Sequence, residues 1–499
     1  MKTRKTTSRT SPLRRLLVWL ALPALFAPAA SLHAQTTTTR WDGSESNKWE
    51  NADNWDNGLP TPNQNTHINT GSVLLDTPAT VRYLYLGTDT SATADLTIAD
   101  GTTLSIGGAA TSRIGTGTGA NATITQTGGT VTLNANNNLD LGGMSSGGTR
   151  TGGTATYTIS GGSLIIANAN GLMMSANTSG SSTSRFTQTG GTVTLGGLAV
   201  GAGRSTGGTG TSANNATYAI SGGTLTVNGD LAHGVTTTNG VGLIDATTQI
   251  TGSKATINIG GNLTLNHNTR NTSTLAFTLD DGGVSRINVT GNATLAGTLT
   301  AGLKGGLAFI KTNTFTLIDV GGTLSGSFAT GPDSALWETA TTTGGLTLSL
   351  AAAAQKGANL DVSTATIDTP LGTTFAATTS GYVEIRNLTA GQEITLLLTA
   401  NAGTGKTIDD LAAWFTDNGH AATALAGTDG YNLGIAKTAT DTTAFLSWDL
   451  TPFNADAALS AVGLSTTAIP EPATWATIAA LALLACVVAC RRKRTIIPD

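Results

Sequence analysis

Two adjacent aspartates, Asp280 and Asp281, are the nearest thing in this chain to a pair of catalytic carboxylates. Glycoside hydrolysis needs two such groups facing each other across the substrate. Neighbours in an extended strand point to opposite faces, so these two form no dyad if the segment is a strand. Followed by Gly282-Gly283, they read better as a turn, with calcium binding a lesser option. The other acids of the repeats include the scattered aspartates Asp89, Asp95, Asp100, Asp140, Asp230 and Asp245, and no glutamate lies between Glu50 and Glu338.

The segment "ANAGTGKT" (400–407) nearly reproduces a phosphate-binding loop between an apolar strand and a helix, with Lys406 for phosphate and Thr407 for magnesium. Ala400 stands where the first glycine belongs, and no apolar strand ending in a metal-binding aspartate follows. A turn is the better account. The five histidines (His33, His67, His233, His267 and His420) show no ligand spacing, and neither H-E-x-x-H nor a nucleophile elbow occurs. From these residues we assign no catalytic site, no metal and no cofactor.

The elements that carry these residues are repetitive. "ATITQTGGTVTL" begins at Ala122, "ATYTISGGSLII" at Ala155, "SRFTQTGGTVTL" at Ser184, "ATYAISGGTLTV" at Ala216 and "ATINIGGNLTL" at Ala255. A looser copy starts at Ala94. The Gly-Gly pairs open at 128, 161, 190, 222 and 260, a period of about 30 residues. A third short element, as in "YLYLG", "NLDLGG", "GLAVG" and "DLAHG", accompanies most copies. Alternation assigns inward columns: Ile124, Tyr157, Phe186, Tyr218 and Ile257; Val131, Leu164, Val193, Leu225 and Leu263; Leu133, Ile166, Leu195, Val227 and Leu265. One unit cannot bury such residues, but stacked units can. With strands about 4.8 Å apart, roughly eight coils make a rod near 40 Å long. The expected fold is all-β: a right-handed parallel β-solenoid followed by a small β-rich domain. A mixed column, Gln126, Ile159, Gln188, Ile220 and Ile259, requires partners for two glutamine amides if it faces inward.

Only 11% of residues are charged and 64 are Gly, which suits stacked strands and tight turns. Trp41, Trp49 and Trp55 precede the repeats and fit a cap over the open first coil, the sharper alternative being a platform for stacking carbohydrate. From about Ala351 the pattern changes. "GYVEIRNL", "EITLLLTA" and "TAFLSWDL" read as strands, and "TIDDLAAWFTDNG" as a helix with Leu411, Trp414 and Phe415 on one side.

Both termini read as targeting segments. Lys2, Arg4, Lys5, Arg9, Arg14 and Arg15 precede the apolar Leu16–Ala30, with small residues leading to a cleavage point after Ala34. At the other end, Ala473–Cys490 is eighteen residues without charge, long enough to span a bilayer, and Arg491, Arg492, Lys493 and Arg494 hold the far end in the cytoplasm. Cys486 and Cys490, the two cysteines, both lie in this span, so no disulfide staples the exported part. Processing at both ends would leave the mature part at about −13, a poor nucleic-acid ligand.

The spacing W-D-G…W…N-W…G-x-P before Gly-Thr strand repeats resembles bacterial exported proteins with autotransporter-associated β-strand repeats. The later "FTLIDVGGTLSGSF" and "ALWETATTTGGLTLSL" are similar to their closing segment, so the likeness covers about 40–350. Pro470-Glu471-Pro472, an apolar span and a basic cluster, in that order, resemble the PEP-CTERM sorting signal of Gram-negative bacteria, with Ile469 where valine is common. That resemblance implies cleavage by an exosortase, a membrane transpeptidase. It also implies delivery from a membrane-anchored precursor to the cell surface or extracellular matrix, often with exopolysaccharide. The expected organisation is a signal peptide (1–34), a Trp-rich cap (35–78), solenoid repeats with a closing segment (79–350), a β-rich domain (351–467) and a sorting signal with transmembrane helix (468–499). The expected role is structural or adhesive and non-enzymatic. The alternative is a polysaccharide-active lyase or hydrolase on the same scaffold.

Overall fold

The computed structural model describes residues 38–465, apart from 144–151, 177–180, 203–211, 235–241, 353, 355–359, 362–372, 390–392, 402–404, 425–432 and 454–457. The signal peptide and the sorting tail lie outside the described residues. Among the described residues, no helix is long and apolar enough to cross a membrane.

The repeats form a parallel β-solenoid of nine coils. Each coil contributes one strand to each of three sheets. The first sheet runs from Thr70–Leu75 to Thr298–Leu303, and the second from Ala79–Val81 to Thr314–Val320. The third ends at Leu324–Gly326 and begins before the first full coil, with Thr38–Arg40 and Asn65–Ile68. Most strands alternate buried and part-exposed residues, with Leu139–Leu141 and Leu172–Met174 of the third sheet buried throughout, and the inward residues make ladders with their neighbours.

The first-sheet column runs Val73, Leu96, Ile124, Tyr157, Phe186, Tyr218, Thr248, Leu275, Leu299 in unbroken register. Its aromatic rungs are stacked, with centroids 5.0 Å apart for Tyr157–Phe186 and 4.9 Å for Phe186–Tyr218. In-register pairing of identical positions leaves planar rings no other arrangement at strand spacing.

The unit beginning at Ala255 departs from the expected register. Ala255–Ile259 is a second-sheet strand, so Ile257 continues the Leu225 column and Ile259 the Val227 column. Leu263 and Leu265 stand opposite Leu231 and His233 in the third sheet. The first-sheet strand of that coil is Gly242–Thr251, with Ile250 opposite Ile220. The expected alignment slipped by one strand because strand–Gly-Gly–strand serves at two different bends. Gly222-Gly223 joins the first sheet to the second, whereas Gly260-Gly261 joins the second to the third. At the first bend the second glycine of each pair has positive φ (Gly162 +73°, Gly191 +67°, Gly223 +76°), and a Cβ there would collide with the carbonyl of the bend beneath.

Both ends of the rod are covered. Asn47 to Trp49 runs along the first strand of the first sheet, with Leu74 N–H donating to Asn47 O at 2.7 Å and Trp49 N–H to Leu74 O at 3.0 Å. At the far end Leu299 N–H donates to Thr330 O at 2.9 Å, and the antiparallel hairpin Trp337–Thr342/Gly345–Leu350 closes the second sheet. Open sheet edges invite pairing with other chains, and these segments pair with part of the edge at each end of the rod.

The C-terminal domain holds a four-stranded and a five-stranded sheet and the helix α1 (Ile408–Asp417). Ser380–Arg386, Glu393–Asn401 and Thr443–Asp449 are the strands read from sequence. Leu411 and Phe415 of α1 are buried in a core with Leu433, Ile435, Leu446 and Trp448. One strand, Leu307–Ile310, leaves the ninth coil and pairs antiparallel with Thr443–Asp449, so a residue range on the rod side of position 350 belongs to this domain's sheet.

Candidate functional site

Where the rod meets the C-terminal domain, a cleft of about 340 Å³ opens between the Asp280–Gly283 turn, the residues following the last first-sheet strand, and the segment after α1. Asp280 and Gly283 exchange backbone hydrogen bonds of 2.9 and 2.8 Å, which makes the expected turn. Asp280 Oδ1 accepts from Gly282 N–H at 2.9 Å and from the Ser253 hydroxyl at 3.1 Å. Asp281 points the other way: Oδ1 accepts from Phe309 N–H at 2.8 Å, and Oδ2 pairs with Lys437 Nζ at 2.7 Å. The two carboxylates are thus committed to separate structural bonds and do not converge on one atom. Among the described residues no cluster of three metal-ligating side chains occurs.

Lys437 lies on the strand Leu433–Thr438 with its side chain 14% exposed. Besides Asp281 it reaches His420 Nδ1 at 3.4 Å, and His420 Nε2 lies 3.1 Å from Lys304 O. A carbonyl only accepts, so Nε2 carries the imidazole proton and Nδ1 accepts from the ammonium. Burial, and then the Lys437 charge, hold the His420 pKa below the ordinary histidine value, in keeping with a neutral ring. Lys254 and Lys304 also line the cleft and are exposed. Neither makes an ion pair with a described residue. No sequence signal linked Lys254 and Lys304 with His420 and Lys437, which come from distant parts of the chain and line one cleft.

The other residues singled out from sequence are structural. Trp41, Trp49 and Trp55 are 5%, 3% and 4% exposed and pack edge-on, with centroids 5.1 Å (Trp41–Trp55) and 4.9 Å (Trp49–Trp55) apart. Trp55 Nε1 donates to Trp49 O at 2.9 Å. These rings form the expected cap; buried in this way, they offer no face for stacking a sugar. Gln126 and Gln188 are fully buried. Their amide groups donate to Ser163 O and Thr224 O, each at 3.0 Å. Their oxygens accept from the next coil's tyrosines, Tyr157 Oη at 2.7 Å and Tyr218 Oη at 2.9 Å. That partner was readable in principle, since each Tyr sits two positions before the glutamine's register mate.

Thr407 caps α1: its hydroxyl accepts from Asp410 N–H at 3.2 Å while Asp410 Oδ2 accepts from Thr407 N–H at 2.7 Å, a reciprocal capping box. Lys406 lies over the Phe453 ring at 5.5 Å. The phosphate-loop likeness is therefore a helix start. His233 is fully buried on the third sheet, its ring nitrogens each 2.8 Å from a hydroxyl, Ser273 Oγ and Thr248 Oγ1. Pro470, Glu471, Pro472 and Arg491, Arg492, Lys493, Arg494 lie outside the described residues. Against protein-family models, curated proteins and solved structures, the chain finds no match.

Proposed function

We propose that the chain is an exported structural or adhesive β-solenoid, sorted by an exosortase-type transpeptidase to the cell surface or extracellular matrix, where exopolysaccharide is its companion. The observation that supports this most is the rod itself. Nine coils run in register, the interior polar groups Gln126, Gln188 and His233 are bonded to neighbours, and both ends are covered. Such an object is rigid, resists edge-to-edge pairing and suits display outside the cell. Outward positions of the first and second sheets are largely hydroxyl-bearing, as in Thr123, Thr156, Thr192 and Thr224, which keeps the surface wettable with little charge.

The sorting step rests on the tail sequence and is tested there. By intact mass and C-terminal peptide, the mature protein from native envelope and medium is expected to end near Glu471, lacking Trp475 and every residue beyond it. Changing Pro470, Glu471 and Pro472 together to Ala should retain the tail and abolish surface location. A native chain still ending at Asp499 overturns the sorting proposal.

A further inference from the structure

We infer that the cleft between the Asp280–Gly283 turn and α1 binds a carboxylate-bearing sugar, one uronate residue of an acidic polysaccharide. The argument begins with charge. The chain carries a formal charge of −4, yet of the three charged groups lining this cleft without an ion pair to a described residue two are cationic, Lys254 and Lys304, and only Asp280 is anionic. Lys437 is engaged by Asp281, and Asp280 by Gly282 and Ser253. Two ammonium groups against one engaged carboxylate leave the cleft complementary to an anion.

Size and lining narrow the class. At about 340 Å³ the cleft has far more room than an inorganic anion needs and suits one or two sugar rings. Its remaining wall carries two exposed neutral hydrogen-bonding groups, Ser253 and Asn418, which fit the hydroxyls of a sugar. The Asp281–Lys437–His420–Lys304 chain of contacts fixes one wall of the cleft, leaving the exposed Lys254 and Lys304 side chains to be ordered on binding. The polysaccharide as source of the carboxylate rests on the extracellular role proposed above; anion binding by the cleft does not.

The test is calorimetric titration of the full chain in detergent micelles with oligogalacturonate, neutral oligogalactose and inorganic phosphate, on wild type and the double variant K254Q/K304Q. Expected are saturable binding of oligogalacturonate, at least about tenfold weaker in the double variant and weakened by salt, and no binding of the neutral oligomer. Lys437 is left intact because its loss disturbs the fold. No binding of oligogalacturonate, or equal binding by both proteins, overturns the site. Binding of phosphate as tight as that of oligogalacturonate overturns the sugar assignment. Surface location of K254Q/K304Q in cells is expected to be unchanged. Its loss would contradict a role confined to binding, so failure of the site and failure of the sorting proposal are read separately.

Discussion

His233 makes the stability of the rod depend on pH in a direction the structure fixes. The ring is fully buried between Ser273 and Thr248, and burial pushes its pKa from 6.5 down to about 3. Between those values an unfolded chain binds a proton that the folded chain refuses. The contribution is therefore fully present above the unfolded pKa of 6.5 and is lost as pH falls toward 3. At pH 5 the loss relative to pH 7.5 is about 2 kcal/mol. The perturbation is the triple change His233→Leu, Thr248→Val and Ser273→Ala. It sets apolar side chains against rungs already apolar in register, Leu265 opposite His233, Leu275 opposite Thr248 and Ala246 opposite Ser273, and leaves no hydroxyl stranded. Urea unfolding of both proteins at pH 7.5 and pH 5 gives the comparison, in which His67 and His420, also held low by burial, cancel. Wild type should lose about 2 kcal/mol more than the variant between the two pH values. Parallel pH dependence, or a histidine NMR titration placing the His233 ring near 6.5, would refute the reasoning.

Tyr218→Phe should destabilise by about 1–3 kcal/mol in urea unfolding, because the Gln188 oxygen is left buried without its donor; a cost near zero would mean the glutamine finds another partner. Gly191→Ala should cost at least about 1 kcal/mol, since φ is +67° and the added methyl meets the bend beneath; unchanged stability would show that the bends relax freely. Trp55→Ala should cost about 3–5 kcal/mol and uncover the first coil, seen as concentration-dependent light scattering; a monodisperse variant would assign the capping to other residues. Lys437→Met should cost about 1–3 kcal/mol and speed hydrogen exchange in Leu307–Ile310 and Leu433–Thr438; protection equal to wild type would remove the lysine from the contact between rod and domain.

What the sequence revealed and what it hid divide along a physical line. Columns such as Val131–Leu164–Val193–Leu225 were readable because strand alternation and a period of about 30 residues act locally. The misplaced unit at Ala255 shows the limit: two chemically equivalent bends give the same Gly-Gly signature, and only the missing rung at Ile250 separates them. The cleft was illegible for another reason. Asp281 gave a turn signal, but nothing local in Lys254, Lys304, His420 or Lys437 announces a neighbour across the chain. The excursion of Leu307–Ile310 into a distant sheet, which brings them together, leaves no periodic trace.

The tyrosine–glutamine bonds have a further consequence, for inheritance. Residues 125–133 and 187–195 are identical over nine positions, TQTGGTVTL, and lie two coils apart. Each supplies the glutamine, and the coil after each supplies the tyrosine. The unit that can be duplicated or deleted without stranding a buried amide is thus a pair of coils, not one. Recombination between such copies would lengthen or shorten the rod in steps of about 10 Å, while the tryptophan cap and the shared strand pass on unaltered.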